Sequence, residues 1–260
     1  MRRFPLILVA SLAFFAGAAA ANDLAPTGAL RATFIATNPV QAVTDAQSGE
    51  VRGPAAELAR ELARWLGVPF RITGAQGVAG VLDSVKNGEA DIGFLAFDPV
   101  RAAEVDFSQP YALAQNTYVV LEGSPIRSVS EIDRAGMRIG VATRDAGDLF
   151  LSRNLKAAEL VRNPGGNLDV AVAKLKAGEI AAYAANRQRL SELVTRVPGL
   201  RLLPDNFYGV EQSIIVAKGN PGLAAIDRLL DEARASGLIA AAIGRAGLVG
   251  VDVAPRREAR

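Results

Sequence analysis

From Leu30 onward the chain alternates short, nearly continuous apolar runs with stretches in which apolar residues recur every three or four positions. LRATFIA (Leu30 to Ala36) has the length and composition of a buried strand. AAELARELARWLG (Ala55 to Gly67) lines up Leu58, Leu62, Trp65 and Leu66 on one helical face, so Trp65 reads as a packing residue, and Gly67 supplies a stop. PFRIT is the next strand, Val78 to Lys86 a helix, and ADIGFLAF (Ala90 to Phe97) a strand with almost no polar position. Strands apolar on both faces and separated by helices predict a parallel or mixed sheet covered on both sides.

The pattern then starts again. SVSE (Ser128 to Glu131) spells a capping box, MRIGVA (Met137 to Ala142) a strand, Gly147 to Lys156 and Ala171 to Lys176 helices, and IAAYAA (Ile180 to Ala185) a buried strand. VKNGEADIG, from Val85, and LKAGEIAAY, from Leu175, share a helix end, Lys-x-Gly-Glu and a small-residue strand. Two similarly built α/β lobes are therefore expected. The apolar runs Gln115 to Gly123 and Gln212 to Gly219 read as two extended links between them, and helices Leu223 to Ala235 and Leu238 to Ala246 as the return to the first lobe. The boundaries implied are residues 27–117 and 213–250 for lobe 1 and 118–212 for lobe 2, with 251–260 a flexible tail. Two links make a hinge, and a ligand site belongs in the cleft between the lobes.

Composition narrows the chemistry. Arg2 and Arg3, an apolar stretch from Pro5 to Ala16 and small residues at Ala18 to Ala21 read as a secretory signal peptide over residues 1–21. Absence of cysteine excludes a lipid-anchored terminus and disulfides, so a soluble periplasmic protein is expected. Without Arg2 and Arg3 the formal net charge falls from +2 to zero, which argues against nucleic acid or a membrane surface as partner. With no histidine or cysteine, the usual zinc, copper and haem ligands are missing, as are the Ser-His-Asp and Cys-His constellations. No phosphate-binding loop or dinucleotide fingerprint stands after a strand, so neither metal nor cofactor is expected.

Five pieces, in order and at the right spacing, carry a resemblance. They are Gly88 to Asp91 (GEAD), Arg101 to Tyr111 with its VDFS-x-PY ending, Ile139 to Leu151 (IGVATRDAGDLFL), Lys176 to Glu179 (KAGE) and Ala217 to Leu223 (AKGNPGL). Over about Ala29 to Gly247 the sequence resembles the type II periplasmic solute-binding proteins that serve amino-acid ABC importers. The resemblance implies two Rossmann-like α/β lobes on a two-strand hinge, a small-molecule ligand, an inner-membrane permease as partner, and a monomer. In that family an arginine before the VDFS segment grips the ligand's α-carboxylate, and Arg101 takes its place. A guanidinium suits the task, because its planar fork offers parallel hydrogen bonds and never loses its charge.

The remaining pocket positions depart from the family pattern. Asp98 replaces a hydroxyl residue and either pairs with Arg101 or caps the following turn. Small polar residues are replaced at Gly93, Phe94 and Ala96, with Phe94 offering a stacking face. The first-loop aromatic is lost near Asn38, where Pro39 is retained. Arg144 and Asp145 stand where the family has Gly-Thr, with Ala146 next at a helix start; Arg144 either faces the cleft or lies on the surface, and Asp145 reads as an N-cap. At Asn186 the family typically has an aspartate for the ligand's ammonium. The uncharged amide disfavours a plain zwitterion unless Glu211 compensates, because a buried unpaired ammonium costs several kcal/mol. Arg187 and Arg189 read as a solvated helix face, and Asp106 as a structural residue holding its loop by local hydrogen bonds.

The expected function is capture of a carboxylate-bearing solute, amino-acid-like or an organic acid, by hinge closure and its delivery to a permease. Alternatives are a cyclohexadienyl dehydratase-like enzyme on the same scaffold, with Glu211, Asp98 or Asp145 as its acid, and a ligand-sensing partner of a membrane receptor.

Overall fold

The computed structural model describes residues 23–256, so the expected export segment lies outside the described residues. Strand β1 (Leu30–Ile35) lies between β4 (Phe70–Ala75) and β5 (Ile92–Ala96), parallel to both. Parallel neighbours need crossovers, and helices α1 (Pro54–Leu66) and α2 (Gly77–Lys86) supply them. Before α1 the chain forms a small antiparallel ribbon of β2 (Val43–Thr44) and β3 (Val51–Arg52). Helix α1 opens on Pro54 and stops at Gly67, whose φ of 70° ends the helix in the left-handed region. Its expected face is the buried one: Leu58, Leu62 and Leu66 enter the core and Trp65 packs against its edge.

The same unit recurs later. Strand β7 (Arg138–Ala142) is parallel to both β8 (Glu159–Asn163) and β9 (Ala182–Asn186), linked through α4 (Ala146–Asn154) and α5 (Leu168–Lys176). The repeated Lys-x-Gly-Glu now has a physical basis. Gly88 and Gly178 both have φ of 70° where α2 turns into β5 and α5 into β9. A glycine adopts that conformation without the steric cost a side chain would bring.

Between the units run two long antiparallel strands, β6 (Val105–Leu121) and β11 (Tyr208–Ala217). Strand β5 borders β11 and strand β9 borders β6, giving the order β4-β1-β5-β11-β6-β9-β7-β8, with one unit on each side of the crossing pair. The chain is completed by the short α3 (Pro99–Ala102), α6 (Arg187–Arg196), β10 (Leu200–Leu202), α7 (Leu223–Ala235) and α8 (Leu238–Arg245). Buried apolar side chains segregate in the same way. Two clusters draw on residues before 117 and after 208, and two others only on residues between 118 and 203. No described helix is long and apolar enough to cross a membrane.

Two local expectations are corrected. The segment from 251 begins as strand β12 (Val251–Val253) rather than as flexible tail, paired with Ala112–Ala114 of β6. It is drawn in because Val251 and Ala254 are buried and the main chain of Gln115 donates to the Gly250 carbonyl at 2.8 Å. Asp106 is held by distant partners rather than local ones. Its carboxylate accepts from the Gly219 amide at 2.7 Å and pairs with Lys218 at 2.8 Å, because the antiparallel register sets residue 106 beside the end of β11.

Candidate functional site: a polar cleft between the two units

The carboxyl ends of β1, β5, β7 and β9 open onto one cavity of about 770 Å³, where open α/β sheets characteristically bind ligands. Its floor is made by the crossing strands, through Ala114 and Asn116 of β6 and Val210 and Gln212 of β11. Among the described residues no aromatic ring lines it.

Arg101 comes from the four-residue helix α3. Pro99 pre-sets the first turn, and Asp98 caps it by accepting from the Val100 amide at 2.9 Å. The arginine is only 5% exposed. Its guanidinium donates to the Ala96 carbonyl at 2.9 Å and, across the cleft, to the Arg144 carbonyl at 3.2 Å. Neither acceptor is charged, and among the described residues no carboxylate lies within ion-pair distance. Burial therefore pulls the Arg101 pKa down, opposed by the more distant charges of Asp98 and Asp145. Of the two roles open to Asp98, the structure shows the cap. Its other oxygen takes Arg153 of α4 at 3.1 Å instead of Arg101, an ion pair that spans the two units.

On the opposite wall, the β7–α4 turn carries Arg144, Asp145 and Ala146, all lining the cavity. Asp145 caps α4, accepting from the Asp148 amide at 2.8 Å. Its carboxyl is pushed up to about 6, chiefly by burial, against the pull of that hydrogen bond and of Arg189 and Arg101. Arg144 has φ of 60° and is the only described residue other than glycine with positive φ. Left-handed backbone costs a residue with a Cβ roughly 1 kcal/mol or more.

Asn186, at the end of β9, lies in register with Asn116 of β6 and lines the cavity. Its Oδ1 caps α6 by accepting from the Arg189 amide at 2.8 Å, so the side of the amide left for the cleft is the N–H donor. Asn38 behaves alike, with Oδ1 taken by the Val40 amide at 3.3 Å. Ala96 also lines the cavity.

Two expected site residues stand elsewhere. Phe94 is fully buried in the core of the first unit, edge-on to Tyr111 with ring centroids 5.9 Å apart, and offers no stacking face. Only the last residue of β5 reaches the cleft, and Phe94 is two positions too early. Glu211 lies between Val210 and Gln212, which line the cavity, and side chains alternate along a strand, so its own points to the other face.

The structure also brings in residues that no pattern in the chain singles out. Gln41 and Gln212 are buried and joined by a 3.3 Å hydrogen bond at the cavity wall. The two arginines of α6 separate. Arg187 donates to the carbonyls of Leu203, Pro204 and Asp205, whereas Arg189 lines the cavity and donates to the Gly166 carbonyl, so neither is a solvated face residue. Among the described residues no group of three or more Asp or Glu side chains is placed to hold a metal ion.

Two matching α/β units, two antiparallel strands joining them and a polar cleft between define a two-lobed ligand-binding protein of the type II periplasmic binding fold. The sequence model for bacterial extracellular solute-binding proteins, family 3, matches residues 30–245, and the chain belongs to that family. Similar solved structures include a mutant of ArgBP from T. maritima, 24% identical with a TM-score of 0.69, covering 87% of this chain and 98% of that one. The amino acid ABC transporter substrate-binding protein AbpA from Streptococcus pneumoniae, bound to L-arginine, is 22% identical with a TM-score of 0.70 over 86% of this chain and 96% of its own. An ancestral arginine-binding protein bound to arginine is 25% identical, with a TM-score of 0.69 over 84% and 97%. Among curated proteins the sequence has no match.

Proposed function

We propose that this protein captures a small carboxylate-bearing solute in the cleft and hands it to the membrane permease of an ABC importer. The observation that carries the reading is Arg101, a buried cation bound only to two main-chain carbonyls. An unmatched buried charge costs several kcal/mol, and a ligand carboxylate that enters its field offsets that cost. Contacts from Arg101 on one unit and from Asn186 and the start of α4 on the other favour the closed arrangement only when a solute bridges them, which is what closure requires. The N–H face of Asn186 suits an acceptor group rather than an ammonium. For a zwitterion, the interior carboxyl available is Asp145, not Glu211.

A thermal-shift screen of the chain from Asn22 against organic acids, amino acids and neutral amides tests this. A solute at about 100 times its Kd adds nearly 3 kcal/mol of apparent stability. Carboxylates are expected to raise Tm, with the shift abolished in Arg101→Ala. A shift by neutral amides that survives in Arg101→Ala refutes the reading.

One observation favours a second reading, an enzyme on this scaffold. Asp145, with its carboxyl near 6 inside the cleft, is the group suited to donate a proton. Turnover of a prephenate-type acid, lost in Asp145→Asn, would carry that alternative.

A further inference from the structure

The backbone at Arg144 gains nothing from being arginine. Its amide donates to Asp148 at 2.8 Å and its carbonyl accepts from Arg101 at 3.2 Å, and glycine would make both bonds without strain at φ of 60°. What arginine adds is the side chain. The residue lines the cavity at its exposed mouth, and among the described residues its side chain has no hydrogen bond or ion pair. The obvious local acid is already matched, since Asp148 pairs with Arg162 at 3.0 Å. A strained residue whose side chain serves no structural purpose points to a use in binding.

The charges around the cavity point the same way. Arg101, Arg144 and Arg189 line it, and Asp145 is the interior carboxyl. Of the other acids on the wall, Glu104 is paired with Lys86 at 2.6 Å and Asp83 is an exposed rim residue of α2. Inside the cleft Arg101 and Arg189 stand against Asp145, and at the exposed mouth Arg144 adds a third guanidinium opposite Asp83, so the lining carries one positive charge more than its unpaired carboxyls. Focused by the cleft walls, that excess selects among anions.

We propose that the cleft is specific for a solute with two anionic groups, a dicarboxylate in the simplest case, one group held by Arg101 and the other by Arg144. This rests on the reading of Arg101 as a carboxylate holder and adds Arg144 as the residue that determines specificity.

Titration calorimetry with malonate, succinate and glutarate, against propionate and butyrate, tests it; glutamate shows whether an amino group between the two carboxylates is accepted. At least one diacid is expected to bind about tenfold or more tighter than the monoacids, the worth of one charge-assisted hydrogen bond. Arg144→Gly should erase that advantage, leave monoacid binding in place and give a ligand-free Tm equal to or above that of the parent. Arg144→Lys should restore part of the advantage. If diacids bind no tighter than monoacids, or keep their advantage in Arg144→Gly, the inference fails while carboxylate capture by Arg101 stands. If no carboxylate of any kind binds, both fall. A ligand-free Tm for Arg144→Gly well below the parent's would make Arg144 a structural residue and overturn the inference.

Discussion

Asp145→Asn should make the protein more stable at neutral pH and leave it unchanged in acid. The carboxyl rises from 3.8 to about 6 in the folded chain, mainly through burial at the cleft wall. A carboxyl raised on folding holds its proton longer in the native state than in the unfolded chain. Its contribution is therefore complete below pH 4 and is lost as pH rises through 6. The shift corresponds to about 3 kcal/mol, and for a chain of this size to a Tm difference of roughly 6–12 °C. Asparagine has nearly the same shape, keeps an oxygen for the Asp148 amide and caps a helix about as well as aspartate, so the charge is the only thing removed. Urea unfolding of both proteins at pH 4, 6 and 8 reads the effect. The curves should coincide at pH 4 and separate by up to about 3 kcal/mol at pH 8, with the variant more stable. Profiles that run parallel across the range would refute the reasoning, because they would mean that the carboxyl remains hydrated in the folded state.

Phe94→Leu should cost roughly 1–2 kcal/mol of stability through lost packing against Tyr111 and leave solute affinity within about twofold, since the ring lies in the core and not on the cleft; denaturant unfolding and calorimetry check the two halves of the statement. Arg187→Ala removes three hydrogen bonds to the Leu203–Asp205 carbonyls and should destabilise by about 2 kcal/mol with affinity retained, whereas Arg189→Ala, on the same helix, should do the reverse.

Period and punctuation made the architecture legible before any coordinates. Buried strands such as Ile92–Ala96 are apolar on every position, helices such as Pro54–Leu66 show a single stripe, and Gly88 and Gly178 mark equivalent turns because left-handed backbone is cheap only for glycine. Arg101 was legible only through the family resemblance carried by the VDFS-x-PY segment after it, since a lone arginine among Phe97, Val100, Ala102 and Ala103 could equally lie on a solvated surface.

Which residues meet in the cleft was a different matter. Asn116, Gln41 and Gln212 are ordinary amides in the sequence, and they become cavity wall only because β6, β11 and the β1 loop converge there. Arg187 and Arg189 look alike in the chain; helix rotation sends one to a loop and the other to the cavity. Phe94 and Glu211 were misplaced because position along the chain tells neither the depth of a residue in its strand nor the face it takes. The sequence by itself determined the elements and their duplication, because these follow from local pattern and chain chemistry. The tertiary structure alone decided that Arg101 is buried with no carboxylate beside it among the described residues, that Arg144 takes a left-handed backbone, and that Asp145 shares their cavity, because each depends on what segments far apart in the chain place within a few ångströms of one another.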